Sequence, residues 1–178
     1  MNLKQVSTMI VIVTLAGACT LHAQDANPIS TNLKGSWANI RDLLTKMADK
    51  MPDENYRFKP TPEIQDFGQR MAHVIGSDMR VCAQLKGDQQ NLTFSAAPTK
   101  AEIVAAMKQA SDECDAVFNS LTDADVLKTI TAGRGGPRLK LAVIEGNVLE
   151  HSQEVYGYMC VYLRLKGIVP PSSDRNEH

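Results

Sequence analysis

Apolar side chains recur at spacings of three and four along four separate stretches of this chain. That is the period of an amphipathic helix, and no stretch shows the strict alternation typical of a half-buried strand. The spacing predicts helices over about 32–50, 62–86, 100–120 and 137–166. The first three stripes comprise Leu33, Trp37, Ile40, Leu44, Met47 and Met51, then Ile64, Phe67, Met71, Ile75, Cys82 and Leu85, then Ile103, Met107, Ala110, Cys114, Val117 and Leu121.

Capping residues mark the helix boundaries. Thr61 is the predicted N-cap of the second helix, and Gly87 ends it. A capping-box pattern at Thr99 opens the third helix, and Gly167 ends the fourth ahead of two prolines. The glycine-rich stretch 131–137 predicts a loop and lacks the spacing of a phosphate-binding fingerprint. Long helices without strands predict an all-α fold, an antiparallel four-helix bundle.

The first residues have the layout of a secretory signal peptide. Lys4 supplies the positive region, an uncharged apolar stretch runs from Met9 to Ala18, and Ala23 is the predicted cleavage site. The apolar stretch is too short to span a bilayer, so we predict no membrane span. Residues 1–23 are therefore predicted as the signal peptide and 24–178 as one domain, exported to the periplasm or secreted. Lipoprotein anchoring through Cys19 is the less favoured alternative.

Charge and cysteine content narrow the function classes further. The formal net charge is −1 with both signs interspersed, so nothing predicts nucleic-acid binding. An exported protein can keep disulfides, and Cys82 and Cys114 lie on the apolar stripes of successive helices. A bridge between them and a pair of buried thiols both remain open. Cys160 is the third cysteine of the predicted mature chain and would have no partner if the other two were bridged.

Metal binding by histidine is the chemistry that the sequence leaves most open. No serine lies in a nucleophile elbow. For none of the cysteines does the sequence place a histidine or a basic residue beside the thiol, as an activated cysteine would require. His151 shares a predicted helix face with Ile144, Val155, Tyr158 and Tyr162, which predicts partial burial. A lone histidine on such a face is more often a core residue than a metal ligand.

Two further polar residues lie on the second helix. His73 is well away from the centre of the apolar stripe, on the side of the small residues Ala72, Gly76 and Ala83. That side predicts either a second packed face or solvent. Asp78 lies within the apolar stripe, where an acid more often faces a polar end of a bundle or a partner than forms a catalytic site.

Three segments together resemble the DinB-like metal-binding proteins: 58–63, the motif FGQRMAHV from Phe67, and the closing stretch 147–173. The resemblance implies a four-helix bundle, often a homodimer, with a divalent metal held by three histidines near one end. His73 matches the first ligand and His151 the second. The third falls on Val155, which cannot coordinate a metal. Relatives include metal-dependent thiol transferases.

The missing ligand leaves three outcomes. Glu154 or Glu150 completes a site of two histidines and one carboxylate, suited to zinc, nickel, iron or manganese; or two ligands hold a metal weakly; or the site is a polar pocket without metal. We predict an exported DinB-like protein with a degenerate site that acts in binding, with a small molecule as ligand, or in an uncharacterised role. The alternatives are a metal-dependent hydrolase or thiol-transferase-type enzyme using His73, His151 and a carboxylate, and an oligomer without a small-molecule site.

Overall fold

Four long helical rods make up the structure, a computed structural model that describes residues 26–131 and 136–174. The predicted signal peptide with Cys19, the tip of the glycine-rich loop and His178 lie outside these residues. Across the described ranges, no helix combines the length and apolarity needed to cross a membrane.

The elements follow the chain in simple order. Helix α1 spans Pro28–Lys50, α2 spans Phe67–Lys86, α3 spans Lys100–Ser120, and the short α4 spans Asp123–Val126. The two-residue strands β1 (Thr129–Ile130) and β2 (Arg138–Leu139) pair antiparallel. The fourth rod consists of α5 (Lys140–Ile144), a π-helical segment (Glu145–Glu150) and α6 (His151–Leu165). Single 3₁₀ turns lie at Asp53–Asn55 and Pro171–Ser173.

The rods form the predicted all-α, antiparallel four-helix bundle. Helix α2 packs against α3 and α6, and α1 packs against the same two helices from the other side. The predicted stripes are buried in the shared core, where the ring of Trp37 stacks on Phe118 with centroids 5.2 Å apart. Ile64 is the exception, because it precedes α2 and is 36% exposed.

Long-range capping explains where α1 begins. We predicted a start near Asn32, but the helix starts at Pro28. The Asp123 carboxylate accepts hydrogen bonds from the backbone N–H groups of Ile29 at 3.2 Å and Ser30 at 2.8 Å. These contacts satisfy two of the free donors at the helix start, and they come from a residue too distant in sequence for a local pattern to reveal.

The N-cap that we predicted for α2 is wrong. The cap is Asp66, which accepts from the Gln69 N–H at 2.8 Å while the Gln69 side chain accepts from the Asp66 N–H at 3.1 Å. This reciprocal capping box places Thr61 in the preceding turn. The other caps are confirmed: Thr99 opens α3, and Gly87 has the left-handed φ of 84°.

A disulfide between Cys82 and Cys114 links α2 to α3. The sequence is compatible with either a bridge or two buried thiols, and the structure contains the bridge. Cys160 is a free, half-buried thiol on α6. The bundle helices that carry the second and third stripes are therefore covalently joined in the core.

Candidate functional site

Two imidazoles meet between α2 and α6. His73 Nε2 and His151 Nε2 lie 3.1 Å apart, with the rings edge to face and their centroids 5.1 Å apart. One ring donates and the other accepts, so this hydrogen bond requires an unprotonated nitrogen on one of them. The structure thus brings together the two histidines that resemblance matched to metal ligands.

The local shape of the fourth rod determines where His151 lies. The π-helical segment ends at Glu150, directly before His151, and π segments are frequent at functional sites. After it, the buried face of α6 is centred on residues that include Ser152, Val155 and Met159. His151 lies at the edge of this face and is half-buried. Tyr158, which we predicted on the same apolar face, is 55% exposed.

The position that matches the third metal ligand of the DinB-like proteins is apolar. Val155 is 3% exposed and belongs to the hydrophobic core. Glu154, the predicted replacement, directs its Oε1 to the Tyr158 hydroxyl, which donates to it at 2.7 Å. Glu150 is exposed. Across 26–131 and 136–174, no group of three or more His, Cys, Asp or Glu side chains is arranged to hold a metal ion.

The histidine pair fits part of a metal site. The two Nε2 atoms, 3.1 Å apart, are close enough that both imidazoles could bind one zinc ion. A protein site for zinc ordinarily has at least three protein ligands. The described residues therefore supply two of the positions and do not form the three-ligand site that the resemblance implies.

Electrostatics favour the neutral form of both rings. Desolvation lowers the pKa of His73, and the charges of Arg70 and Arg80 lower it further. Desolvation is also the largest effect that lowers the pKa of His151, followed by His73, while the Glu154 carboxylate opposes it. His151 Nδ1 is buried without a hydrogen-bond partner. Both imidazoles are therefore uncharged, hydrogen-bonding groups near neutral pH.

A buried polar pair lies beside the histidines. Asp78 is 1% exposed, and the Ser152 hydroxyl donates to its two carboxyl oxygens at 2.9 and 3.1 Å. Burial raises the pKa of Asp78 to about 8, against the opposing effects of Ser152 and Arg80. Asp78 thus faces neither a polar bundle end nor the pocket, and is uncharged in most molecules at pH 7.

Cavities flank the histidine pair on both sides along α2. The first, of about 250 Å³, is lined by Ser77, Arg80, Gln84, Asn147 and His151, among others. The second, of about 330 Å³, is mainly apolar and lies toward the start of α2; its lining residues are Pro60, Ile64, Arg70, Tyr158, Val161 and Tyr162. Of the two cavities, only the first is lined by one of the histidines, His151.

Two further side chains of this region have structural roles. Tyr156 is buried, and its hydroxyl accepts a hydrogen bond from the Ser172 N–H at 2.9 Å, so it holds the C-terminal tail. Ser152 was not predicted as a polar partner. Ser152 is four residues from Val148 and four from Tyr156, both of which are buried. This helical spacing is the pattern from which its burial could have been predicted.

The sequence model of the DinB superfamily matches residues 36–154, which contain both histidines and end one residue before Val155. The chain belongs to the DinB superfamily. The match covers about two thirds of the chain, from within α1 to the start of α6, so the membership does not rest on the histidine motif alone.

Solved DinB-like proteins share this fold. One from Bacillus cereus ATCC 10987 is 19% identical, with a TM-score of 0.65 over 79% of this chain and 95% of that chain. Another, YjoA from Bacillus subtilis, is 17% identical, with a TM-score of 0.65 over 81% of this chain and 99% of that chain. No curated protein matches the sequence significantly. At these identities the likeness concerns the fold.

Proposed function

We propose that this DinB-superfamily protein acts in binding rather than in metal-dependent catalysis, with a site reduced to the histidine pair. One observation carries the proposal: His73 and His151 remain in contact at 3.1 Å, while the third position is the core residue Val155. Two neutral imidazoles can donate and accept hydrogen bonds from a ligand. They do not supply the three protein ligands of a catalytic zinc site.

The second candidate is a metal-dependent hydrolase or thiol-transferase-type enzyme in which a carboxylate replaces the missing histidine. The charge of Glu154 acts on His151, which favours this candidate over one that uses a more distant acid. Recruitment of Glu154 would require it to give up the 2.7 Å hydrogen bond from Tyr158. Zinc, nickel, iron and manganese are the metals suited to such a set.

Elemental analysis of untagged protein distinguishes the two. The protein is measured before and after incubation with zinc, nickel, iron and manganese, followed by gel filtration, beside a His151→Ala variant. The binding proposal expects clearly less than one metal per chain in both. One retained metal per chain that is lost in His151→Ala, and also in a Glu154→Gln variant, would contradict the binding proposal and favour the second candidate.

Export is part of the proposal. The signal-peptide pattern of residues 1–23 and the Cys82–Cys114 bridge support it, since structural disulfides persist in oxidising compartments. Cell fractionation with N-terminal sequencing tests it. A mature protein that begins at Gln24 in the periplasm or medium is expected, whereas an uncleaved cytoplasmic chain would contradict export.

We also propose that the chain forms a homodimer. Helix α6 exposes three apolar side chains at helical spacing, Tyr158, Val161 and Leu165, each more than half exposed. Contiguous exposed apolar surface of this kind favours association. Sedimentation velocity at micromolar concentration is expected to give the mass of two chains. The mass of one chain would contradict the homodimer.

A further inference from the structure

The polar cavity beside His151 is rich in hydrogen-bond donors. Helix α2 presents His73, Ser77 and Arg80 at spacings of four and three, so these side chains share one face. Across the cavity, the fourth rod contributes Asn147 and His151. Guanidinium, hydroxyl, amide and imidazole groups therefore converge on a space of about 250 Å³.

Arg80 forms no ion pair within residues 26–131 and 136–174. Its Nη2 donates to Ser77 Oγ at 3.2 Å, and no carboxylate of the described residues lies within ion-pair distance of it. Among the described arginines only Arg41 and Arg57 are ion-paired, with Asp115 and Asp66. Arg80 is solvent-exposed, and it differs from the other unpaired arginines in lining this cavity. A guanidinium left without a counter-charge at a cavity wall is suited to bind an anion in bidentate fashion.

The nearby acids do not cancel this charge. Asp78 is enclosed in the core and hydrogen-bonded to Ser152, so it does not line the cavity. Glu150 lies near the rim of the cavity at Gly146. A Cβ placed on Gly146 would be 3.9 Å from Oε2 of Glu150 and 3.8 Å from Nη2 of Arg138. The positive charge of Arg138 at the same point offsets that acid. Glu154 is engaged by Tyr158.

We propose that this cavity binds a small oxyanion, the carboxylate or phosphate group of the ligand, through Arg80, Ser77 and Asn147, with His151 at its inner edge. The inference deepens the proposed binding function, on which it rests, by giving the chemical class of the ligand. The volume suits a molecule smaller than a typical drug. A guanidinium supplies two parallel N–H donors to either group, so the shared chemistry is that of an oxyanion.

The test is an NMR titration of the mature, metal-free protein with succinate and, separately, with inorganic phosphate at constant ionic strength. Saturable shifts are expected at the amides of Ser77, Arg80 and Asn147 with one probe or both, and the responding probe distinguishes a carboxylate from a phosphate ligand. Arg80→Gln is expected to weaken the binding at least about tenfold, because it removes the positive charge and at least one of the two charge-assisted hydrogen bonds.

Arg164→Gln is the matched control. Arg164 also makes one hydrogen bond to a serine, from Nη2 to Ser173 Oγ at 3.0 Å, but it does not line this cavity. Its substitution is expected to leave the titration unchanged. Absence of saturable shifts with both probes, or equal weakening by the two substitutions, would overturn the inference alone. Binding that requires added zinc would overturn both it and the proposed function.

Discussion

The Ser152 hydroxyl donates to Asp78 at 2.9 Å in the interior between α2 and α6, joining the two helices that carry the histidine pair. Ser152 is fully buried, and Asp78 is nearly so. Buried polar groups are costly unless they are hydrogen-bonded, so this contact favours one register of α6 against α2. That register is the one that brings His73 and His151 together.

The buried carboxyl should make stability depend on pH. The folded state raises the pKa of Asp78 to about 8, so between about pH 4 and pH 8 the folded chain holds a proton that the unfolded chain has released. The free energy of unfolding is therefore expected to fall as pH rises from about 5 to 8, with a slope of up to about 1.4 kcal/mol per pH unit.

Asp78→Asn isolates this effect because it keeps the shape and cannot titrate. Urea unfolding at pH 7 and pH 8 is the informative comparison, because the pKa values of the folded histidines are lowered and an unfolded histidine, with an ordinary pKa of about 6.5, is mostly neutral in this range. The variant is expected to lose most of the decline between these two values. An identical decline in both proteins would show that Asp78 is not the group responsible.

Removal of the Cys82–Cys114 bridge should lower stability substantially. It closes a segment with a sequence separation of 32, for which chain entropy gives a contribution of about 3–4 kcal/mol. The Cys82→Ala/Cys114→Ala double variant is expected to lose about that much in chemical denaturation. Cys160→Ala, which removes the free thiol, is the control and should cost much less. Equal losses in the two proteins would contradict the structural role of the bridge.

Gly68 should tolerate no side chain. A Cβ there would lie 2.7 Å from the backbone oxygen of Pro98 and 3.4 Å from that of Tyr56, and neither backbone atom can move aside freely. Gly68→Ala is expected to destabilise the fold by about 1–3 kcal/mol, despite the better helix propensity of alanine.

The matched substitution is Gly35→Ala in α1, where a Cβ meets nothing within 4 Å. It is expected to stabilise by up to about 1 kcal/mol. Thermal unfolding of both variants measures the contrast. The same sign of change in the two proteins would rule out the close approach of Gly68 to the segment that ends at Pro98.

The periodicity of apolar residues was sufficient to predict the bundle, because a helix that buries one face needs apolar residues at intervals of three and four. It was not sufficient for features that depend on distant contacts. The start of α1 depends on Asp123, and the contact of His73 with His151 depends on how two helices align. His73 lies away from its stripe, so only the family resemblance pointed to it.

The fourth rod shows a second limit. The sequence predicted a regular helix from Pro137, whereas the rod begins at Lys140 and contains the π-helical segment. A π turn shifts the helical phase, so extrapolation from Ile144 misplaced the buried face by part of a turn. This is why Tyr158 was expected inside and Ser152 was overlooked.

The central claim, that Val155 removes the metal site while the histidine pair persists, is tested most directly by restoring the missing ligand. Zinc retained per chain after gel filtration is measured for the wild type, for Val155→His, and for Val155→His combined with His73→Ala. We predict clearly less than one zinc per chain in the wild type, about one in Val155→His, and its loss again in the double variant. One zinc per chain in the wild type, unchanged by Val155→His, would contradict the account.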